Sequence, residues 1–262
     1  MAGIYIHIPF CKQRCRYCAF YSSTLYNIKE EYVKALCREL QERRHYIGNE
    51  TVETIYLGGG TPSTLTIGQL RTICDTVYST YPVSSSPEVT IECNPDDLTH
   101  EFLEQLRGLP FNRISMGVQS FNDEQLKRLG RRHSAEGARK AVRNARAAGY
   151  GNISIDLMFA LPGSTAEEKA AALQAQGFGG AVTNATWDTQ YLQRKLALAQ
   201  LNEYVQAMDA LGLRVWIYDE KGYPSGGAGG LTLAENPDFE ATAVVMVKEP
   251  LGPNETKTIE LP

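Results

Sequence analysis

The chain has 262 residues, 43% of them hydrophobic and 21% charged, enough for one large globular domain or two small ones. A formal net charge of -4 gives no nucleic-acid footprint, leaving local basic groups such as Arg131-Arg132 as anion contacts; no apolar run is long enough to span a bilayer, so a cytoplasmic protein without a transmembrane segment is expected. All six Cys fall between Cys11 and Cys93, which argues against a disulfide framework and for localised chemistry of reduced thiols.

An apolar run at Ile4–Ile8 predicts the first strand. Directly behind it, Cys11, Cys15 and Cys18 share one loop at CxxxCxxC spacing. Three thiolates cap three irons of a cubane cluster and leave the fourth iron open for a ligand from outside the protein. The alternative is zinc, which normally closes with four protein ligands, and no fourth Cys or further CxxC follows. Tyr32, Val33, Leu36, Cys37 and Leu40 mark a helix. Thr54–Leu57 predicts the second strand, and the run Gly58-Gly59-Gly60-Thr61-Pro62 follows it. Thr66 and Gln69 form a capping pair for a helix whose apolar face is Leu70, Ile73, Cys74 and Val77. Cys37 and Cys74 are thereby assigned to packing. Val89–Glu92 predicts the third strand, with Asn94-Pro95 just beyond it and a helix near Thr99–Leu106. The fourth strand, Arg113–Val118, stops at Gln119. Ser134 opens an Ala- and Arg-rich helix that ends at Gly149, and Ile153–Phe159 with Asp156 is the fifth strand.

Strand and helix alternate throughout, which predicts an α/β fold, a partial parallel (β/α) barrel. In such a barrel the Cys loop, the glycine run, Glu92, Gln119 and Asp156 converge on one rim. The glycines let backbone amides and carbonyls approach a ligand, while Glu92, Gln119, Arg131 and Asp156 offer donors and acceptors to a polar, partly charged small molecule. The rhythm persists beyond Gly163. Thr165 and Glu168 form a capping box, Phe178–Thr183 and Leu213–Tyr218 read as strands, and Leu192–Leu211 reads as a helix, so strands six and seven could extend the barrel. Asp219 and Glu220 follow the last strand. Adjacent strand residues point to opposite faces, so these two alone cannot flank a glycosidic bond; Trp216, Tyr218 and Tyr223 suit packing better than sugar stacking.

Residues 1 to about 163 resemble the radical S-adenosylmethionine superfamily. Within it they are most similar to the oxygen-independent coproporphyrinogen III oxidase-like group and its heme-chaperone (HemW-type) branch. The strings that carry the resemblance are Tyr5-Ile-His-Ile-Pro, Cys11-xxx-Cys15-x-Tyr17-Cys18, Leu57-Gly-Gly-Gly-Thr-Pro, Glu92-Cys-Asn-Pro, Met116-Gly-Val-Gln-Ser-Phe and Asp156-Leu-Met-Phe-Ala-Leu-Pro-Gly. The resemblance implies that Cys11, Cys15 and Cys18 hold a 4Fe-4S cluster whose open iron chelates S-adenosylmethionine. It implies that Tyr5, Tyr17, Gly59, Gly60, Thr61, Glu92, Gln119, Arg131 and Asp156 bind that cofactor, with heme or porphyrin as cargo and a flavodoxin or ferredoxin as electron donor. An electron from the cluster would split the sulfonium to a 5′-deoxyadenosyl radical. The decarboxylating oxidases usually carry a further Cys two positions after the third; Phe20 stands there, which favours the chaperone branch over coproporphyrinogen oxidase activity. Residues 164–262 instead resemble a fragment of an α-L-rhamnosidase-like glycoside hydrolase, in Gly177–Asn184 and Leu213–Gly230, and lack a His-Asn-xx-Tyr-Trp heme motif. The expected organisation is therefore a radical S-adenosylmethionine core, 1–163, joined to a glycosidase-like segment, 164–262. A carbohydrate-active hydrolase and a non-functional fusion are the alternatives.

Overall fold

Alternation of apolar and polar residues, clearest in the first, fourth and fifth strands, builds the sheet. The computed structural model describes residues 2–18, 20–158, 161, 163, 165–184 and 195–218. In it, β1 (Ala2–Ile8), β2 (Val52–Gly59), β3 (Val83–Cys93), β4 (Arg113–Gln119) and β5 (Asn152–Leu157) run parallel and in chain order through one five-stranded sheet. The register aligns Ile6, Leu57, Ile91, Ile114 and Ile153 in one row. One residue back, Tyr5, Tyr56, Thr90, Arg113 and Asn152 align in another. Successive side chains leave opposite faces, so one face of the sheet is apolar and the other polar. Parallel strands packed on both faces usually read as continuous apolar runs. These do not, because their second face lines a polar cavity.

The apolar face is covered by helices. α1 (Lys29–Glu42), α2 (Ile67–Thr80), α3 (His100–Leu106), α4 (Asp123–Leu129) and α5 (Ala135–Ala147) follow the strands. Val33, Leu40, Leu70, Ile73, Val77, Leu103, Leu106, Ala138 and Val142 join the sheet's isoleucines in one core. Burying a large aliphatic side chain stabilises the fold by about 1.5–3 kcal/mol. Cys74 is buried in that core and Cys37 packs half-buried against it, as expected of both. The helix starts are set locally. Thr66 Oγ1 accepts from Gln69 N at 3.2 Å while Gln69 Oε1 accepts from Thr66 N at 3.1 Å, the reciprocal capping box read from the sequence. Ser134 caps α5, and Gly149 takes a φ of +90° just past its end. α4 was not expected, although Asn122 caps it and Gly130, at φ +71°, ends it.

Beyond β5 come α6 (Ala166–Ala175), β6 (Gly180–Asn184), α7 (Lys195–Ala210) and β7 (Arg214–Tyr218). The capping box of Thr165 and Glu168 opens α6 as the sequence predicts. β6 and β7 pair with each other in a separate two-stranded sheet and add no strand to the five. Gly180 explains their closeness, since a Cβ there would lie 2.2 Å from the Arg214 carbonyl oxygen. One compact unit comprises Met1–Ala181 with Glu203–Arg214 and contains every predicted site residue. Of the second unit, residues 182–184, 195–202 and 215–218 are described, Trp216 being exposed. Phe159, Asp219, Glu220 and Tyr223 lie outside the described residues, as does the side chain of Tyr218.

Candidate cofactor site

The cysteine loop is pinned at both ends. Cys11 N donates to Ser23 O at 2.9 Å, and Arg16 N donates to Leu129 O at 3.1 Å, which ties the loop to the end of α4. Around the second anchor Cys18 N closes a turn on Cys15 O at 3.3 Å. The thiols of Cys11, Cys15 and Cys18 are free and line one cavity. The same wall carries Tyr17, Gly59, Gly60, Thr61, Glu92, Gln119, Arg131 and Asp156. Five strand ends thus bring together every predicted site residue except Tyr5. Tyr5 stands off that wall, 60% exposed, with its ring stacked at 6.0 Å on Tyr56.

Tyr56 was missed by the sequence reading and orients Glu92. Its hydroxyl donates to Glu92 Oε1 at 2.7 Å, while Gly59 N donates to Oε2 at 3.0 Å. Burial, with the Glu92 carboxylate second, pushes the Tyr56 pKa up, so the phenol stays a donor. The signal was its position two residues before Gly58 on the polar face, which only the register makes legible. Gly58 is small because a Cβ would lie 2.8 Å from Tyr56, 3.0 Å from Tyr5 and 3.1 Å from Glu92.

Arg131 spans the cavity floor. Nη1 donates to Cys15 Sγ at 3.2 Å, and Nη2 donates to Asn94 Oδ1 and to Gly117 O. Its Nε is buried without a partner. Asn94 was read at the end of the third strand, on the rim, without a role; Gly117 was not read as a site residue, nor was Cys93, a buried thiol on the same wall whose pKa burial pushes up. Gln119 has a φ of +68°, the one positive value at a non-glycine among the described residues, where the β4–β5 register slips between Gly117 and Gln119. Strain of this kind persists where the surroundings impose it, and it clusters at functional sites. A second cavity, formed with Ser120, Met158 and Lys169, shares Gln119 with the first.

Asp156 opens to the cavity yet is ringed by protein. Burial first and the Glu92 charge second push its pKa up to about 6, against the opposing pull of Arg113 and Arg131. Tyr17 is pushed up to about 12, again chiefly by burial.

The glycine run lines the cavity and also meets a packing demand. At Gly59, φ +110°, a Cβ would strike the His7 ring at 2.5 Å. At Gly60 it would strike Ile8 O and Phe10 N at 2.9 Å. The nearest obstacles within the protein are the end of β1 and Phe10 just beyond it, which the loop must approach closely.

These residues fit an iron-sulfur cluster with a zwitterionic ligand. Three free thiols on one cavity wall suit a cluster that takes three protein ligands and leaves one iron open. The unpartnered Arg131 Nε suits an anionic oxygen, and the oriented Glu92 suits a cation.

Comparison with known proteins agrees. A sequence profile described as the radical SAM superfamily matches residues 5–175. The heme chaperone HemW of Bacillus subtilis (strain 168) is 40% identical over 167 residues, covering 63% of this chain and 44% of that protein. The heme chaperone HemW of Escherichia coli (strain K12) is 39% identical over 168 residues, again covering 63% and 44%. Among solved structures, the coproporphyrinogen III oxidase HemN of Escherichia coli, described as a radical SAM enzyme, is 31% identical at a TM-score of 0.60, covering 66% of this chain and 40% of that one. The archaeal Methanocaldococcus infernus Elp3, at 16% identity and a TM-score of 0.51, shares the fold. The chain spans less than half the length of the curated relatives it matches.

Proposed function

This chain belongs to the radical SAM superfamily, and from that premise we propose that it is the cluster- and S-adenosylmethionine-binding core of a heme-chaperone-type protein. Membership implies a 4Fe-4S cluster and S-adenosylmethionine. The reading assigns Cys11, Cys15 and Cys18 to the cluster, and Tyr5, Tyr17, Gly59, Gly60, Thr61, Glu92, Gln119, Arg131 and Asp156 to the second cofactor. The observation that carries it is the single cavity wall bearing all three thiols with Glu92, Gln119, Arg131 and Asp156. Heme is the proposed cargo, and a flavodoxin or ferredoxin in a reducing cytoplasm the proposed electron source. Phe20, on the cavity wall and 68% exposed, supports the chaperone branch over the oxidase. From residue 164 on, descent from a glycosidase-like segment remains our proposal; the family profile runs past that point to residue 175.

When bound, the cluster supplies one electron for reductive cleavage of the sulfonium. The protein's part is to hold and orient. Arg131 donates to Cys15 sulfur and offers Nε to a carboxylate, while Tyr56 and Gly59 aim the Glu92 carboxylate toward an ammonium group. Anaerobic reconstitution followed by iron counting tests the reading. Wild type should take up about four irons per chain, and Cys15→Ala almost none, because two thiolates cannot hold a cubane with one open iron. Cys74→Ala should match wild type. Full iron in Cys15→Ala would overturn the ligand assignment.

A further inference from the structure

Asp97 is a buried carboxylate that the reaction does not use. It ends the short turn Pro95–Asp97 after β3, its side chain is 3% exposed, and neither it nor its partner Lys12 lines the cofactor cavity. Both of its oxygens are engaged. Lys12 Nζ donates to Oδ1 at 2.5 Å, and Ser63 Oγ donates to Oδ2 at 2.8 Å. Ser63 also accepts from Asn94 N at 3.2 Å. Lys12 directly follows Cys11, Ser63 lies in the turn after the glycine run, and Asn94 holds Arg131. One carboxylate therefore joins the loops that follow β1, β2 and β3.

We propose that the Lys12–Asp97 ion pair is the positioning element of the cluster loop, fixing Cys11 against the glycine turn. This rests on the cluster reading above. A buried charge costs heavily unless it is paired, and the best-attested return on such a pair is a fixed register between the segments it joins. Here the joined segments are 85 residues apart in sequence. The thiol of Cys11 is buried 3.5 Å from Thr61 Oγ1, so the two loops meet at the sulfur itself. With the pair broken, Lys12, already 43% exposed, swings to water and the backbone beside Cys11 loses its tether to the floor. Partners that orient metal ligands without touching the metal act in this way.

The test uses Asp97→Asn, which keeps the shape and the Ser63 contact, with Lys12→Gln as the reciprocal variant and Lys12→Arg as the conservative one. In cluster-free protein, iodoacetamide alkylation followed by mass spectrometry gives the rate at Cys11 relative to Cys15 in the same molecule. That ratio should rise several-fold in Asp97→Asn and Lys12→Gln and stay near wild type in Lys12→Arg. In reconstituted protein, iron release to a chelator should be about tenfold faster in the first two, the scale typical of outer-shell changes at metal sites, and the cluster midpoint potential should move. Unchanged alkylation ratios and release rates in both would overturn the proposal, as would a loss confined to Asp97→Asn. If wild type took up no iron, the cluster reading would fail, while the alkylation ratio would still decide whether the pair positions Cys11.

Discussion

At Gly60, function and packing make the same demand. A Cβ there meets backbone atoms of Ile8 and Phe10, which cannot rotate aside. Gly60→Ala should therefore cost about 1–3 kcal/mol of stability, the usual range for overpacking, seen as a lower Tm. An unchanged Tm would mean that β1 and the glycine loop separate easily. Gln119 presents the opposite case. Its left-handed backbone costs a non-glycine residue about 1–2 kcal/mol, partly offset by the chain entropy that glycine loses on folding. Gln119→Gly is expected to raise stability by up to about 1 kcal/mol while weakening S-adenosylmethionine binding. A variant less stable than wild type would show that the side chain, rather than the cavity, holds the turn.

The raised pKa of Asp156 makes a prediction about pH. Because the folded value lies above the ordinary 3.8, protonation favours the folded chain; that contribution is full below 3.8 and lost as pH rises through about 6. On the proposed assignment of Asp156 to S-adenosylmethionine, with the carboxylate as the binding form, affinity should fall as pH drops below about 6. Calorimetry on Asp156→Asn should give weaker binding with that pH dependence removed. The same slope in the variant would assign the titration to another group.

At the scale of elements, what the sequence disclosed was whatever is local. The three cysteines, the glycine run and the capping boxes of α2 and α6 each lie within a few residues, and each appears where the pattern put it. α5 is bounded by Ser134 and Gly149, as read. What stayed hidden depends on partners far along the chain. Tyr56 gains its role from register with Tyr5 and contact with Glu92, and Asp97 from Lys12. The choice of β6 and β7 for each other, instead of β5, likewise depends on non-local pairing that alternation cannot encode. His133 is a further hidden element-level feature. It is buried with Nε2 2.9 Å from Val118 O, and burial first and the nearby Arg131 charge second push its pKa down. Its lowered pKa gives stability that is present above 6.5 and lost as pH falls through the folded value. Replacing His133 with Gln should flatten that acid limb of a Tm-against-pH curve; an unaltered limb would place the titrating group elsewhere.

For the whole molecule, the family profile matches residues 5–175, and the alignments to the two heme chaperones cover 44% of those proteins. Because its sequence carries no His-Asn-xx-Tyr-Trp motif, the proposed core should bind its two cofactors yet hold heme weakly. Hemin titration is expected to show no tight one-to-one site, and S-adenosylmethionine cleavage under dithionite should be slow and indifferent to porphyrin. A tight Soret-shifted complex that disappears when the chain is ended at Gly163 would instead assign heme binding to the segment beyond it. Among the described residues no helix is long and apolar enough to cross a membrane. In the proposed site, three thiolates on this cavity wall leave one iron open for S-adenosylmethionine. Electron paramagnetic resonance of the reduced, reconstituted protein tests it most directly. Adding S-adenosylmethionine should change the g-values of the cluster signal in wild type and in Cys74→Ala; an identical spectrum with and without it, at full iron content, would contradict the account.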